Sequence, residues 1–252
     1  MILRRFLVEE TGCASYLFGC TSHGKLGVVD PHLDLVDAYL EAAARTGSHI
    51  TQVFDTHVHA DHPSGASELA RRTGAALRLP EGAPVDFEHE PLRDGEVVAL
   101  GNTRAQVVST PGHAWAHSCL LVTDKRRGED PWLVFTGDTL LVGSVGRPDL
   151  HGEEPELARA LWRSLRERLL SLPDWIELHP GHVGGSACGA GISSNPSSTI
   201  GFERRNNDLL AVPSADAFAE AVLGELSEAP AEFGSIYEDN RRGPAARERR
   251  AA

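Results

Sequence analysis

Cysteine is scarce in this sequence and nowhere paired. Only four occur in 252 residues (Cys13, Cys20, Cys119 and Cys188), and no two of them form a C-x-x-C. That scatter sets aside a disulfide framework and points to reduced thiols in a reducing compartment. An apolar leader is also missing. The opening MILRRFLVEE carries arginines with no apolar stretch behind them, so no signal peptide is read. No apolar run approaches the ~18–20 residues that cross a bilayer. The expectation is a cytoplasmic protein with no membrane partner. Positive charge is in deficit as well: 24 Lys and Arg face 36 Asp and Glu, a net charge of −12. A field of that sign repels nucleic acid and anionic lipid, so neither is an expected partner. It leaves room for an anionic small substrate, because a metal and one arginine can dominate a pocket locally. No internal repeat is visible.

What is present reads as one α/β domain. Strands are expected at residues 2–8, 14–19, 27–30 and 50–54, then at 96–100, 103–109, 118–123, 132–136 and 175–178, with Gly101-Asn102 as a hairpin turn. Leu33, Val36, Leu40 and Ala44 recur at helical spacing over 33–45. Pro63 suits the first turn of a helix over 64–73. Leu157, Leu161, Leu165 and Leu169 form one stripe over Glu156 to Ser171. Two more helices are expected at 199–210 and 215–225. A β-rich half and a helix, then a β-rich half and more helices, suggest two sheets with helices packed outside. The domain is drawn as residues 1–227. Residues 228–252 form a Pro-, Ala- and Arg-rich tail, with Arg241, Arg242, Arg247, Arg249 and Arg250, expected to be a solvated, partly disordered end.

Twelve histidines are present, and three fall within six residues as His57-x-His59-x-Asp61-His62, just past an expected strand. Clustered imidazoles beside a carboxylate are costly to hold together without a compensating cation, so metal binding is the better reading. In an extended loop, positions i and i+2 face the same side, which places His57 and His59 together. Three more signals follow, each at a strand end with glycine just before the candidate ligand: Pro111-Gly112-His113, Thr136-Gly137-Asp138 and Pro180-Gly181-His182. Glycine allows the sharp turn and the close approach such a ligand needs.

HVHADH, TPGH, TGD and PGH in this order resemble the metallo-β-lactamase superfamily, over about residues 5–210. The resemblance implies a four-layer αββα sandwich with the metal in a cleft at one edge of the two sheets. Two chemistries are compatible with it. In a binuclear zinc hydrolase of the glyoxalase II kind, His57, His59 and His113 would hold one Zn(II). Asp61, His62 and His182 would hold the other, with Asp138 bridging, and a thioester would be cleaved.

Other segments are similar to the persulfide dioxygenase branch and its rhodanese-fused members. These are Gly12-Cys13-Ala14-Ser15-Tyr16, Gly146-Arg147-Pro148-Asp149-Leu150, Gly184-Gly185-Ser186-Ala187-Cys188-Gly189, and Ile200-Gly201-Phe202-Glu203-Arg204 with Asn207. That branch implies one Fe(II) per chain on His57, His113 and Asp138, with His59, Asp61, His62 and His182 orienting the ligands. Two histidines and one carboxylate leave open positions on an octahedral ion. The implied reaction is oxidation of a low-molecular-weight thiol persulfide, such as glutathione persulfide, by O2 to the thiol and sulfite. A separate sulfurtransferase is a candidate sulfur donor, and a homo-oligomer a candidate assembly.

Arg147 is a candidate to bind a substrate carboxylate or a developing sulfur oxyanion, with an ion pair to Asp149 as the alternative. Ser186 and Cys188 are candidate substrate contacts. Cys188 could accept a sulfur atom, or fill space as a small buried residue. Cys13, Cys20 and Cys119 read as core. His117 and Trp115 stand between pocket wall and ordinary structure. A non-catalytic binding protein that kept the fold would be marked by lost ligands, and none is lost. The dioxygenase features outweigh the hydrolase ones, and both readings remain open at this point.

Overall fold

The computed structural model of the chain describes residues 1–150 and 152–243. The first sheet runs in the order β1 (Ile2–Val8), β2 (Cys13–Cys20), β3 (Lys25–Val29), β4 (His49–Phe54), β5 (Ala76–Pro80) and β6 (Glu90–Leu92). Its first three strands pair antiparallel, and β3 through β6 pair parallel. Helices α1 (Val36–Arg45) and α2 (Ala66–Thr73) make the two longer crossovers, since parallel neighbours cannot be joined by a tight turn. The second sheet comprises β7 (Val97–Leu100), β8 (Thr103–Ser109), β9 (Ser118–Asp124), β10 (Leu133–Gly137), β13 (Glu177–Pro180) and β14 (Ser198–Thr199), in the order β14-β13-β10-β9-β8-β7. Leu100 pairs with Thr103 across Gly101-Asn102, as the turn chemistry predicts. A small hairpin, β11 (Leu140–Leu141) and β12 (Ser144–Val145), lies between β10 and α3 (Glu154–Arg163). Short helices α4 (Ile200–Asn206) and α5 (Asp208–Ala211) follow, then α6 (Ala215–Gly224) and α7 (Phe233–Arg242).

Side chains alternate across a strand, and here the alternation sorts them into three apolar layers. From β2, Tyr16 and Phe18 point between the sheets, where Phe54, Leu120, Val122, Leu133 and Phe135 meet them. Leu17, between those two, points the other way, into a layer with Tyr39 of α1 and Leu69 of α2. From β9, Leu120 and Val122 face the inner layer, while Cys119 and Leu121 face Leu161 of α3 and Phe218 of α6. Helix, sheet, sheet, helix is the αββα sandwich that the sequence implied. Among the described residues, no helix is long and apolar enough to cross a membrane.

Several boundaries differ from the sequence expectation. The helix expected at 33–45 opens as a tight turn at Leu33–Leu35 before α1. The leucine-striped helix starts at Glu154 and widens to a π-helix at Ser164–Leu169. The helix expected over 199–210 breaks at Asn207, whose side-chain amide donates to the Ser144 carbonyl of β12. Glu203 is buried and accepts from the Gly143 backbone N–H at 2.9 Å, so this segment secures the β11–β12 hairpin. Strands β5, β6 and β14 were not anticipated.

The largest correction is the tail. Residues Phe233–Arg242 fold as α7, with Phe233 and Asn240 buried. Asn240 Nδ2 donates to the carbonyls of His59 and His62, each at 2.8 Å, and its Oδ1 accepts from the Ser64 N–H at 3.0 Å. Arg241 and Arg242 pair with Glu238 on the same helix. Arg247, Arg249 and Arg250 lie outside the described residues.

One amide therefore satisfies three buried backbone groups of the histidine loop. Leaving such groups unpaired costs about 1–3 kcal/mol each. Asn240→Ala is expected to lower stability by about 2–4 kcal/mol, read as a fall in the urea midpoint at unchanged slope. A midpoint equal to that of the parent protein would refute the role.

Candidate metal centre

The site is assembled from loops at strand ends. Strands β8, β10 and β13 run in one direction, so His113, Asp138 and His182, each just past a C-terminal end, meet at one edge of the second sheet. The His57–His62 loop follows β4 and reaches the same edge from the first sheet.

Asp30, at the end of β3, fixes that loop. It adopts φ 50°, a left-handed conformation that Asp tolerates better than most residues. Its carboxylate accepts from the Thr56 N–H at 2.7 Å and from Thr56 Oγ1 at 2.9 Å, and lies 3.2 Å from His59 Nε2. The Thr56 hydroxyl proton is given to Asp30, so its oxygen accepts from His57 Nδ1 at 3.0 Å. This network assigns the lone pair of His57 to Nε2. His59 turns Nε2 toward Asp30 and Asp55, leaving a buried Nδ1 with no hydrogen-bond partner. The His57 and His59 rings lie 4.3 Å apart, as the i, i+2 spacing predicted.

His113 donates from Nδ1 to the Arg147 carbonyl at 2.8 Å, which assigns its lone pair to Nε2, 3.6 Å from Asp138 Oδ2. Asp138 follows Gly137, whose φ of 46° needs glycine and whose added Cβ would overlap Thr56 Oγ1. A Cβ on Gly146 would overlap the Asp138 carbonyl oxygen, which explains the glycine of the GRPD segment. His117 accepts from the Asp138 N–H at 3.2 Å, with Nδ1 bonded to Thr110 and Thr139, so it is a buried positioning group rather than a surface residue. His182 bridges two carboxylates: Nδ1 lies 2.8 Å from Asp138 Oδ1 and Nε2 2.9 Å from Asp61 Oδ2.

Ligand atoms of His57, His113 and Asp138 all lie within 4.8 Å of one another, and all three residues are buried. Asp138 Oδ2 has no hydrogen-bond partner. An ionised, buried, unpartnered carboxylate oxygen is costly, and a cation removes that cost. Burial, with repulsion from His59, His113 and His117, holds His57 well below the usual histidine range. Burial also lowers His113, against the pull of Asp138. For Asp138, burial pushes the carboxyl up, but the His182 charge and hydrogen bond prevail and hold it below the usual range. Two neutral imidazoles and a carboxylate are the protonation states that metal binding requires, so the residues fit a cation. His59 and His182 go the other way. Burial opposes their charge, but Asp30 and Asp55 raise His59, and Asp138 with Asp61 raises His182.

The remaining expectations divide. Asp61 and His62 join the cluster, with His62 Nδ1 2.9 Å from Asp61 Oδ2 and His62 Nε2 buried without a partner. The Arg147 guanidinium is held within the protein. It is 1% exposed, forks onto both oxygens of Asp149 at 2.7 and 2.8 Å, and donates to the carbonyls of Ala187 and Ser227. Its ion-pair alternative is the one observed, because these partners occupy the guanidinium. Ser186 is half-buried and caps a turn, its Oγ accepting from the Cys188 N–H at 3.1 Å. Cys188 is buried against Ala60 and Phe233, and burial pushes its thiol up to about 12, which fits the space-filling alternative. Cys13 is more than a core residue: its Sγ lies 3.0 Å from Asp61 Oδ2. Sequence reasoning missed Asp30, Asp55, Cys13, Asn240 and His32, whose ring stacks on His62 at 5.0 Å. All four cysteines are free thiols.

Residues 8–182 match the family model described as Metallo-beta-lactamase superfamily. A hydroxyacylglutathione hydrolase of Polaromonas sp. is 33% identical over 171 residues, which are 67% of this chain and 61% of that one. The chain thus spans about three-fifths of the length of the first curated relatives it matches. Among solved structures, ETHE1 from Myxococcus xanthus superposes with a TM-score of 0.83 at 30% identity, over 96% of this chain and 98% of that one. A metallo-beta-lactamase from Staphylococcus aureus subsp. aureus COL gives a TM-score of 0.90 at 28% identity, over 96% and 73%.

The relay from Asp30 through Thr56 to His57 is open to a direct test. Asparagine accepts the left-handed backbone but not the second hydrogen bond at a carboxylate oxygen. Asp30→Asn is expected to keep the fold and to weaken metal affinity by about 10–100-fold, measured by competition with a chelator. Unchanged affinity would show that the relay is dispensable.

Proposed function

The chain belongs to the metallo-beta-lactamase superfamily, and from that premise we propose that it is a mononuclear Fe(II) persulfide dioxygenase. Its ion would be held by His57, His113 and Asp138. The substrate would be a low-molecular-weight thiol persulfide, with the balance R–S–SH plus O2 plus H2O giving R–SH, sulfite and two protons. The bound iron would supply the redox chemistry of dioxygen beside the terminal sulfur.

The observation that carries this reading is the engagement of His182. Both of its ring nitrogens are bonded to carboxylates. That geometry suits a group that orients Asp138 and offsets its charge. His59 turns only Nε2 to Asp30 and Asp55. His57, His113 and Asp138 supply two neutral imidazoles and one carboxylate, a ligand set that leaves open positions for substrate and oxygen. The near full-length likeness to ETHE1 supports the same branch. The protein's own part is to hold these three donors in fixed tautomers through Thr56, the Arg147 carbonyl and His182.

A second reading, the binuclear zinc thioester hydrolase, is favoured by two observations. His59 Nδ1 and His62 Nε2 are buried with no hydrogen-bond partner, and His62 Nδ1 pairs with Asp61. The curated relatives at about one-third identity are hydroxyacylglutathione hydrolases.

Elemental analysis of protein purified without added metal is expected to find about one iron per chain. Oxygen uptake is expected with at least one member of a panel of thiol persulfides, glutathione persulfide among them. His182→Gln separates the readings. The dioxygenase should keep its iron, held about 10–100-fold more weakly, whereas the hydrolase should lose one of two zinc ions. Two zinc ions with thioester cleavage and no oxygen uptake would sink the proposal.

A further inference from the structure

Cys13, Asp61 and His62 each offer a metal-binding atom, and these atoms lie within 4.8 Å of one another. The trio shares no residue with His57, His113 and Asp138. Cys13 Sγ lies 3.0 Å from Asp61 Oδ2, and His62 Nδ1 lies 2.9 Å from the same oxygen. The side chains of His62 and Asp61 are 4% and 6% exposed, and Cys13 is buried. The donors also differ in kind from those of the first trio: a thiol, an imidazole and a carboxylate stand where the other has two imidazoles and a carboxylate.

The thiol is fixed in place. Cys13 opens β2, and the backbone on both sides of it is pinned to the loop after β13. The Val183 N–H donates to the Gly12 carbonyl at 2.9 Å, and the Ala14 N–H to the Gly181 carbonyl at 2.7 Å. Gly12 adopts φ 68°, and a Cβ there would overlap the Val183 carbonyl oxygen. Thr11 Oγ1 donates to Cys13 Sγ at 2.9 Å, a hydrogen bond from behind of the kind that orients a metal ligand. His62 Nε2 is buried with no hydrogen-bond partner. Burying a bare imidazole nitrogen is costly, and a cation removes that cost. Cys188 is the weaker candidate for the sulfur donor. It too lies near Asp61 and His182, but it packs against Ala60 and Phe233.

We propose that Cys13, Asp61 and His62 form a separate site for a thiophilic divalent ion of the zinc group. Cysteine sulfur, histidine nitrogen and carboxylate oxygen are all zinc donors, and three of them leave a fourth position open. The thiolate favours such an ion, whereas the nitrogen and oxygen donors of the first trio suit iron. Binding releases the thiol proton to solvent and leaves the sulfur as thiolate. The proposal does not rest on the persulfide reading. It also differs from the binuclear hydrolase centre, whose second ion would sit on Asp61, His62 and His182 without sulfur.

Cadmium is the probe, because a cadmium–thiolate bond gives an ultraviolet charge-transfer band. It is titrated into the protein as purified, with metal content measured before and after. The band is expected to saturate at about one cadmium per chain. Cys13→Ser should abolish the band and weaken cadmium by at least about 10–100-fold, the cost of losing even a group behind a ligand. Cys188→Ser should change neither. His62→Gln should keep the band and weaken cadmium by a similar factor, and it probes the site without disturbing Cys13. No band in the parent protein, a band that survives Cys13→Ser or disappears in Cys188→Ser, or a cadmium affinity indifferent to His62→Gln overturns the proposal. Cadmium that binds through His62 without the band would mark a sulfur-free hydrolase centre instead.

Discussion

The Asp138–His182–Asp61 chain holds the two sheets together at their reactive edge. Asp61 comes from the loop after β4 and His182 from the loop after β13, so the interaction joins the two sheets at the edge of the apolar layer between them. Two buried carboxylates repel unless a positive group stands between them. The imidazole of His182 is that group, touching one carboxylate with each nitrogen. Backbone contacts reinforce it: the Ala14 N–H donates to the Gly181 carbonyl at 2.7 Å, and Cys13 bridges to His182. This seam sets where the Asp138 carboxylate points.

The chemistry that the seam permits is a matter of which nitrogens stay available. Asp30 and Thr56 fix His57, and the Arg147 carbonyl fixes His113; each presents Nε2. Which donors stay available is thus decided by the hydrogen bonds behind each residue, in a chain that is similar both to hydroxyacylglutathione hydrolases and to ETHE1.

Much of this was legible from residue order. The order of expected strands and helices predicted two sheets with helices outside, and the HVHADH loop with the three glycine-preceded motifs predicted the convergence of His57, His113 and Asp138. What was not legible shares a cause: its meaning lies in a partner far along the chain. Asp30 reads as a turn aspartate until Thr56 and His59 are seen to hang from it. Arg147 could have faced a substrate, and nothing in GRPD tells that Ala187 and Ser227 take its remaining donors. Cys13 looked like strand core because Asp61 is 48 residues away. Helix α7 was hidden by a composition typical of loose ends, since its order comes from docking rather than from propensity.

That docking bears on how the protein is made. Asn240 grips the His59 carbonyl across 181 positions of chain. At the ~5–20 residues per second of ribosomal synthesis, roughly 10–35 s separate the emergence of the histidine loop from that of its clasp. Throughout that interval the imidazoles are exposed on an unfinished scaffold and can meet whichever ions the cell offers. Faithful loading then favours a chain that closes this loop last, once the clasp has docked and the metal can be sorted by geometry instead of by arrival.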